Sequence, residues 1–273
     1  PDGSLFVPVR LLDRETPYEH LTASRPGSYW NLVMPYALAS GLFRPGSAEA
    51  SGVLRYMLRH GSRLLGIVRA GAYALYRDPV FPTSGTDHVY GINVARFLAD
   101  NDQADQLVLS LYGGLAAAMT PDTFVSGEAA TVAPLAGRHH RAMYLPPNGA
   151  SNAAFLETLR VMLVHETADG LELAFATPRA WLRPGRRIAA RGVPTGFGPL
   201  SFSLERAAGS VRATVEVPAR TPPRTLKLRL RLPRGERIRA VSLGGRPFRR
   251  FDARTGTIDL SRLRGIVELA ISL

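Results

Sequence analysis

The hydrophobic period of this chain changes once, near residue 170, and that change limits what it can fold into more than any other feature. Up to about residue 167 apolar residues recur at spacings of three and four, whereas from Leu171 they recur at every second position. The run TLKLRLRL shows it best: Leu226, Leu228, Leu230 and Leu232 fall on one face, and Lys227, Arg229 and Arg231 on the other. LELAFAT, LSFSLER and VRATVEV alternate in the same way, with the turn-forming stretches AAGS, PRGE, GGRP and RTGT between the runs. We therefore expect an α+β protein of two domains. Residues 1–170 are helical, and residues 171–273 form an antiparallel β-sandwich whose arginine stripe is a solvated outer face or a protected edge.

Five helices are expected in the first region. They are Ser28–Phe43, Ala48–Gly66, a third capped by Thr86 or Asp87 and running to Asp100, a fourth capped by Asp102 with Asp105, and a fifth opened by Ser151. Short links follow the first and third, but stretches of roughly 20 and 30 residues follow the second and fourth. If successive helices are antiparallel neighbours, the long segments emerge at one end of a bundle together with residues 1–27. Long loops on a rigid scaffold are where function concentrates.

Charge divides at the same place as the period. Residues 1–170 hold 13 basic and 15 acidic side chains, net −2, while residues 171–273 hold 21 and 7, net +14. That basicity alternates along strands without interleaved aromatics, so no specific nucleic-acid binding is expected. With no cysteine there is no disulfide framework and no thiolate nucleophile, and the six histidines show no metal-ligand spacing; neither a metal nor a cofactor is implied. No apolar run reaches the roughly 20 residues of a membrane span.

The segments SYWNLVMPYALASGLF, SGTDHVYGINVARFLADND, MTPDTFVSGEAATVAPL and MYLPPNGASNAAFLETLRVMLVHE, followed by the strand-rich tail from LELAFATPRAWLRPGRRI, resemble the (α/α)-toroid glycoside hydrolases. This six-hairpin class includes rhamnosidase-like and glucoamylase-like enzymes. The resemblance implies a partial (α/α) toroid followed by a β-sandwich, a carbohydrate substrate, and cleavage by paired carboxyl groups. A complete toroid has more helices than the five expected here, so the resemblance also implies a C-terminal portion. The remaining toroid helices would then come from a missing N-terminal segment.

Three acids are candidates for the catalytic pair. Glu128 follows Gly127, which permits close backbone approach, and precedes small apolar residues that favour a raised pKa; the competing reading is the first turn of a short helix, EAATVA. Asp87 lies in the glycine-containing stretch SGTDHVYG and is also an ordinary helix N-cap. Glu19, in TPYEHLTASRPGSYW, is either an acid or an acceptor for sugar hydroxyls. Asp122 reads as a turn residue. For substrate binding we expect Trp30, Tyr90 and Tyr144 as stacking platforms or donors, and His88, Asn148 and Asn152 as partners for sugar hydroxyls. Local capping is the competing role for both asparagines. The pair His139 and His140 reads as a solvent-facing basic turn.

Two other functions suit parts of this pattern. A polysaccharide lyase acting on an acidic polymer would use the types present in His88, Tyr90, Asn93 and Arg96, although one helix cannot aim all four at one point. A non-catalytic carbohydrate-binding fragment would keep the loop surface and dispense with the acid pair.

Overall fold

A computed structural model describes residues 2–5, 36–60, 63–64, 67–68, 88–135 and 138–273. The chain divides into two compact units, Pro1–Leu159 and Arg160–Leu273.

In the first unit, helix α1 (Ala48–His60) is followed by a two-residue strand β1 (Arg63–Leu64) paired antiparallel with β2 (Ile67–Val68). The helix is shorter than its apolar spacing suggested. Gly61 is a poor helix former, and Leu64, which fits the helical face in sequence, belongs to β1. A single 3₁₀ turn, His88–Tyr90, then leads into α2 (Gly91–Asp100). Helix α3 (Ala104–Gly113) starts from Gln103, which makes no side-chain cap; Asp102 stands outside it at φ 54°, so the expected Asp102 cap is not formed. The helix passes directly into a π-helical turn, Gly114–Ala118, and Met119 is extended at φ −128° and ψ 150°. Val53, Met57, Phe97, Leu98, Leu107 and Leu111 are buried in this unit, with Phe43 set edge-on against Phe97 at 6.4 Å.

The segment after Met119 differs most from expectation. Instead of a short helix at EAATVA and a basic turn at His139 and His140, it forms an antiparallel hairpin of β3 (Ala129–Leu135) and β4 (Arg138–Tyr144). Seven residue pairs run from Ala129↔Tyr144 to Leu135↔Arg138. Thr131 and Val132 carry some strand preference, and pairing with a partner strand, which a window of one segment does not register, settles the conformation. Helix α4 (Gly149–Leu163) follows.

The second unit contains the last residues of α4 and a sandwich of two sheets. Its strands are β5 (Val164–Glu166), β6 (Gly170–Leu173), β7 (Arg187–Val193), β8 (Leu200–Ala207), β9 (Ser210–Glu216) and β10 (Thr225–Arg229). The remainder are β11 (Ala240–Leu243), β12 (Arg246–Pro247), β13 (Phe251–Asp252), β14 (Thr257–Asp259) and β15 (Ile266–Ser272). One sheet has the order β13-β14-β10-β6-β5 and the other β12-β11-β15-β9-β8-β7. All pairs are antiparallel except β6 with β10, a parallel seam that alternation alone does not distinguish. At this seam a Cβ on Gly170 would lie 2.4 Å from the Thr225 carbonyl oxygen, so the close approach requires glycine.

Register carries the core. Leu204, Ala213 and Leu269 lie side by side across β8, β9 and β15, as do Phe202, Val215 and Val267, and all six are buried against Leu226 and Leu228 of the other sheet. Two arginines of this unit, one of them in the stripe expected to be solvated, are buried. Arg206 occupies the next inward position of β8 and is 5% exposed, donating to the carbonyls of Leu182 and Ser210 and pairing with Glu236 at 2.7 Å. Arg231 lies just beyond β10, where the alternation no longer points outward; it is buried and donates to the Thr177 carbonyl at 3.3 Å. Arg229 lies over the Phe175 ring, 5.4 Å from its centroid. Lys227 of that stripe stays half exposed, with 47% of its side chain accessible, and pairs with Glu172 at 3.3 Å.

Candidate functional site

The loop 120–128 is tied to its surroundings by backbone and amide hydrogen bonds. The Asn148 amide donates to the Ser126 carbonyl at 2.7 Å, and the Val89 amide donates to the Glu128 carbonyl at 3.4 Å. Ser126 is fully buried, and its hydroxyl is shared between the Asn148 carbonyl at 3.0 Å and Asn152 Oδ1. Asn152 Nδ2 donates in turn to the Phe124 carbonyl at 3.0 Å, and Asn148 Oδ1 accepts from the Ser151 amide at 2.9 Å, capping α4. Both asparagines thus spend polar atoms on clamping the loop to the start of α4. Sequence spacing showed that they flank the helix but gave no hint of Ser126, their common partner.

Glu128 is held between two anchored neighbours. Gly127, Ala129 and Ala130 are buried, the Glu128 backbone is fixed by Val89, and the side chain itself is only partly buried. Among the described residues its carboxylate makes no ion pair and no hydrogen bond. The acid therefore stands at the entry of a strand, and the helix-dipole reading of EAATVA does not apply. Asp122 is exposed in the preceding turn at φ 64°, as turn chemistry suggested.

His88, on the turn that supplies Val89, has both ring nitrogens buried without a hydrogen-bond partner among the described residues. Burial pushes its pKa down to about 4, against a weaker opposing pull from the Gly127 backbone. The imidazole is neutral at pH 7. It lines a cavity of about 50 Å³ whose walls include Val94, Leu98, Leu111, Met119, Ala154 and Phe155, and which the π-helical turn borders through Gly114 and Ala118. Ser151 lines the same cavity; it is 1% exposed, and its hydroxyl has no partner among the described residues.

The other expected site residues are placed less fully. Tyr90 ends the 3₁₀ turn and Tyr144 ends β4 opposite Ala129, next to Glu128 in sequence. Glu19, Trp30 and Asp87 lie outside the described residues. Of the lyase-type set, Arg96 is exposed and pairs with Glu157 at 2.9 Å, so its charge is already engaged on α4. No group of three or more metal-ligating side chains occurs among the described residues, and no described helix is long and apolar enough to cross a membrane.

A helical unit followed by a β-sandwich is the class of architecture this chain defines. No family model and no curated protein matches its sequence. Among solved structures it is similar to Ara127N, a GH127 β-L-arabinofuranosidase from Geobacillus stearothermophilus T6, with a TM-score of 0.43, 16% identity, and coverage of 93% of this chain and 42% of that one. It is also similar to the GH127 β-arabinofuranosidase BT3674, with a TM-score of 0.47, 14% identity, and coverage of 93% and 43%. A third similar structure is a glycoside hydrolase, at a TM-score of 0.36, 15% identity, and coverage of 72% and 34%. The chain spans less than half the length of each.

Proposed function

We propose that this chain is part of a glycoside hydrolase and that Glu128 is one of its catalytic carboxyl groups. The observation that carries the reading is the state of Glu128: a partly buried carboxylate, rigidly anchored through its backbone, with small buried neighbours and no partner to neutralise it among the described residues. A structural carboxylate in such surroundings is ordinarily paired or hydrogen-bonded. The resemblance of the four helical and loop segments to toroid glycosidases supplies the reaction class, and the similar structures named above are glycosidases themselves.

In this reading Glu128 either protonates the departing glycosidic oxygen or deprotonates the attacking water. The second carboxyl group is Asp87, Glu19, or an acid on toroid helices outside this chain. The Ser126–Asn148–Asn152 clamp holds the loop that carries Glu128, so the acid meets its substrate without a costly rearrangement. The sugar itself is bound by surfaces that include Tyr90 and Tyr144.

The test is Glu128→Gln in the whole enzyme, assayed on a panel of aryl glycosides that includes L-arabinofuranosides, the sugar named for two of the similar structures. Loss of an acid–base group lowers turnover by roughly a hundredfold to ten-thousandfold. Circular dichroism should be unchanged. Turnover within a few-fold of wild type would remove Glu128 from the mechanism.

A further inference from the structure

The cavity beside His88 contains an arrangement that is costly if it stays empty. Among the described residues Ser151 Oγ and both His88 ring nitrogens are buried and unpaired, and each such group has lost its hydration without return unless something replaces the water. Native interiors rarely leave two such side chains on one cavity. The rest of the wall is apolar or internally satisfied, with the Thr158 hydroxyl donating to the Ala154 carbonyl at 2.8 Å.

Size and charge restrict what could fill it. About 50 Å³ exceeds the roughly 10–15 Å³ that one water requires, so the space takes a few water-sized groups but not a sugar ring. Among the described residues no charged side chain lines it, so a bare ion would pay its desolvation without compensation from them. The neutral imidazole offers one donor and one acceptor, and the serine hydroxyl offers both. A guest that satisfies them must itself donate and accept, and be uncharged. A hydroxyl group is the smallest group that does so, and it suits the space of about 50 Å³. The π-helical turn that ends α3 borders the same space through Gly114 and Ala118.

We propose that this cavity is a binding site for an uncharged hydroxyl-bearing guest, held between the His88 imidazole and the Ser151 hydroxyl. Two sources offer the same chemistry: water, and the alcohol of a small polyol. The proposal does not depend on glycoside hydrolysis, because it rests on the two unpaired groups and the space between their elements rather than on Glu128.

The experiment is a high-resolution crystal structure of the whole chain, grown without polyols and then soaked in ethylene glycol, with Ser151→Ala studied alongside. In the polyol-free crystal we expect density within hydrogen-bond distance of both Ser151 Oγ and a His88 ring nitrogen, which identifies water. Replacement of that density by the diol on soaking identifies the site as one that also accepts an alcohol; density unchanged by soaking identifies it as a water site. Ser151→Ala, by removing one of the guest's partners, should raise the unfolding equilibrium constant about fivefold. A cavity without density in either crystal, together with an unfolding constant that falls in Ser151→Ala because an unpaired hydroxyl has been removed, would overturn the proposal. Neither result bears on the turnover of Glu128→Gln.

Discussion

Burial sets His88 well apart from its chemistry in water, and its pH dependence follows directly. Unfolded, the imidazole titrates near 6.5; folded, burial lowers this to about 4. Below 6.5 the unfolded chain therefore binds a proton that the folded chain refuses. The stability this group contributes is fully present above pH 6.5 and is lost as pH falls towards 4, to a total of about 3 kcal/mol at most. Urea unfolding of the first unit between pH 7 and 4 should show this loss, and His88→Gln should flatten it. An equal slope in both proteins would mean that other groups dominate. The two buried arginines teach a different lesson at this scale. Arg206 lies at an inward position that its charge argues against, and carbonyls and Glu236 satisfy it there.

Helix α4 and the hairpin before it show what one element contributes to another. The Asn148 side chain caps α4 through the Ser151 amide, while its main chain holds Ser126 through both a carbonyl and an amide. Asn148→Ala removes only the cap and should cost about 1 kcal/mol. Hydrogen exchange should accelerate in the first turn of α4, with the β3–β4 amides little affected; equal acceleration throughout the hairpin would show that loop and helix open as one unit. The hairpin also shows why this region was hard to read. AATVAPL has neither strict alternation nor a helical face, so its conformation depends on pairing with residues 138–144. The helices were legible because each is decided largely by its own spacing, and the sandwich because period two persists over about a hundred residues.

Across the whole molecule, the division into two compact units falls inside α4, between Leu159 and Arg160. A packing reason is visible within the second unit. The carbonyls of Met162 and Leu163 accept from the amides of Ala176 and Ala174, at 2.9 and 2.7 Å, so the end of the helix is stitched to the chain after β6. The second unit also encloses its own continuous core between two sheets. We expect residues 160–273 expressed alone to give a β-rich spectrum and a single cooperative unfolding transition. A fragment without a transition would show that this core needs the first unit to form. The charge surplus of residues 171–273 persists through the fold, because their 21 basic residues outnumber their 7 acids even where Glu205, Glu236 and Asp259 are paired.

By itself the sequence determined the α+β class, the placement of the strand-rich sandwich after the helical part, the inward leucine rows and the conspicuous position of Glu128. Each follows from periodicity or composition within a few turns or one strand. Tertiary structure alone decided the parallel seam between β6 and β10, the strand that follows Glu128, the burial of Arg206 and Arg231, and the convergence of His88 and Ser151 on one cavity. His88 and Ser151 are 63 positions apart in the chain. Their meeting is a consequence of packing among α2, α3 and the start of α4, and no local pattern encodes which distant side chains a packed interior will bring together.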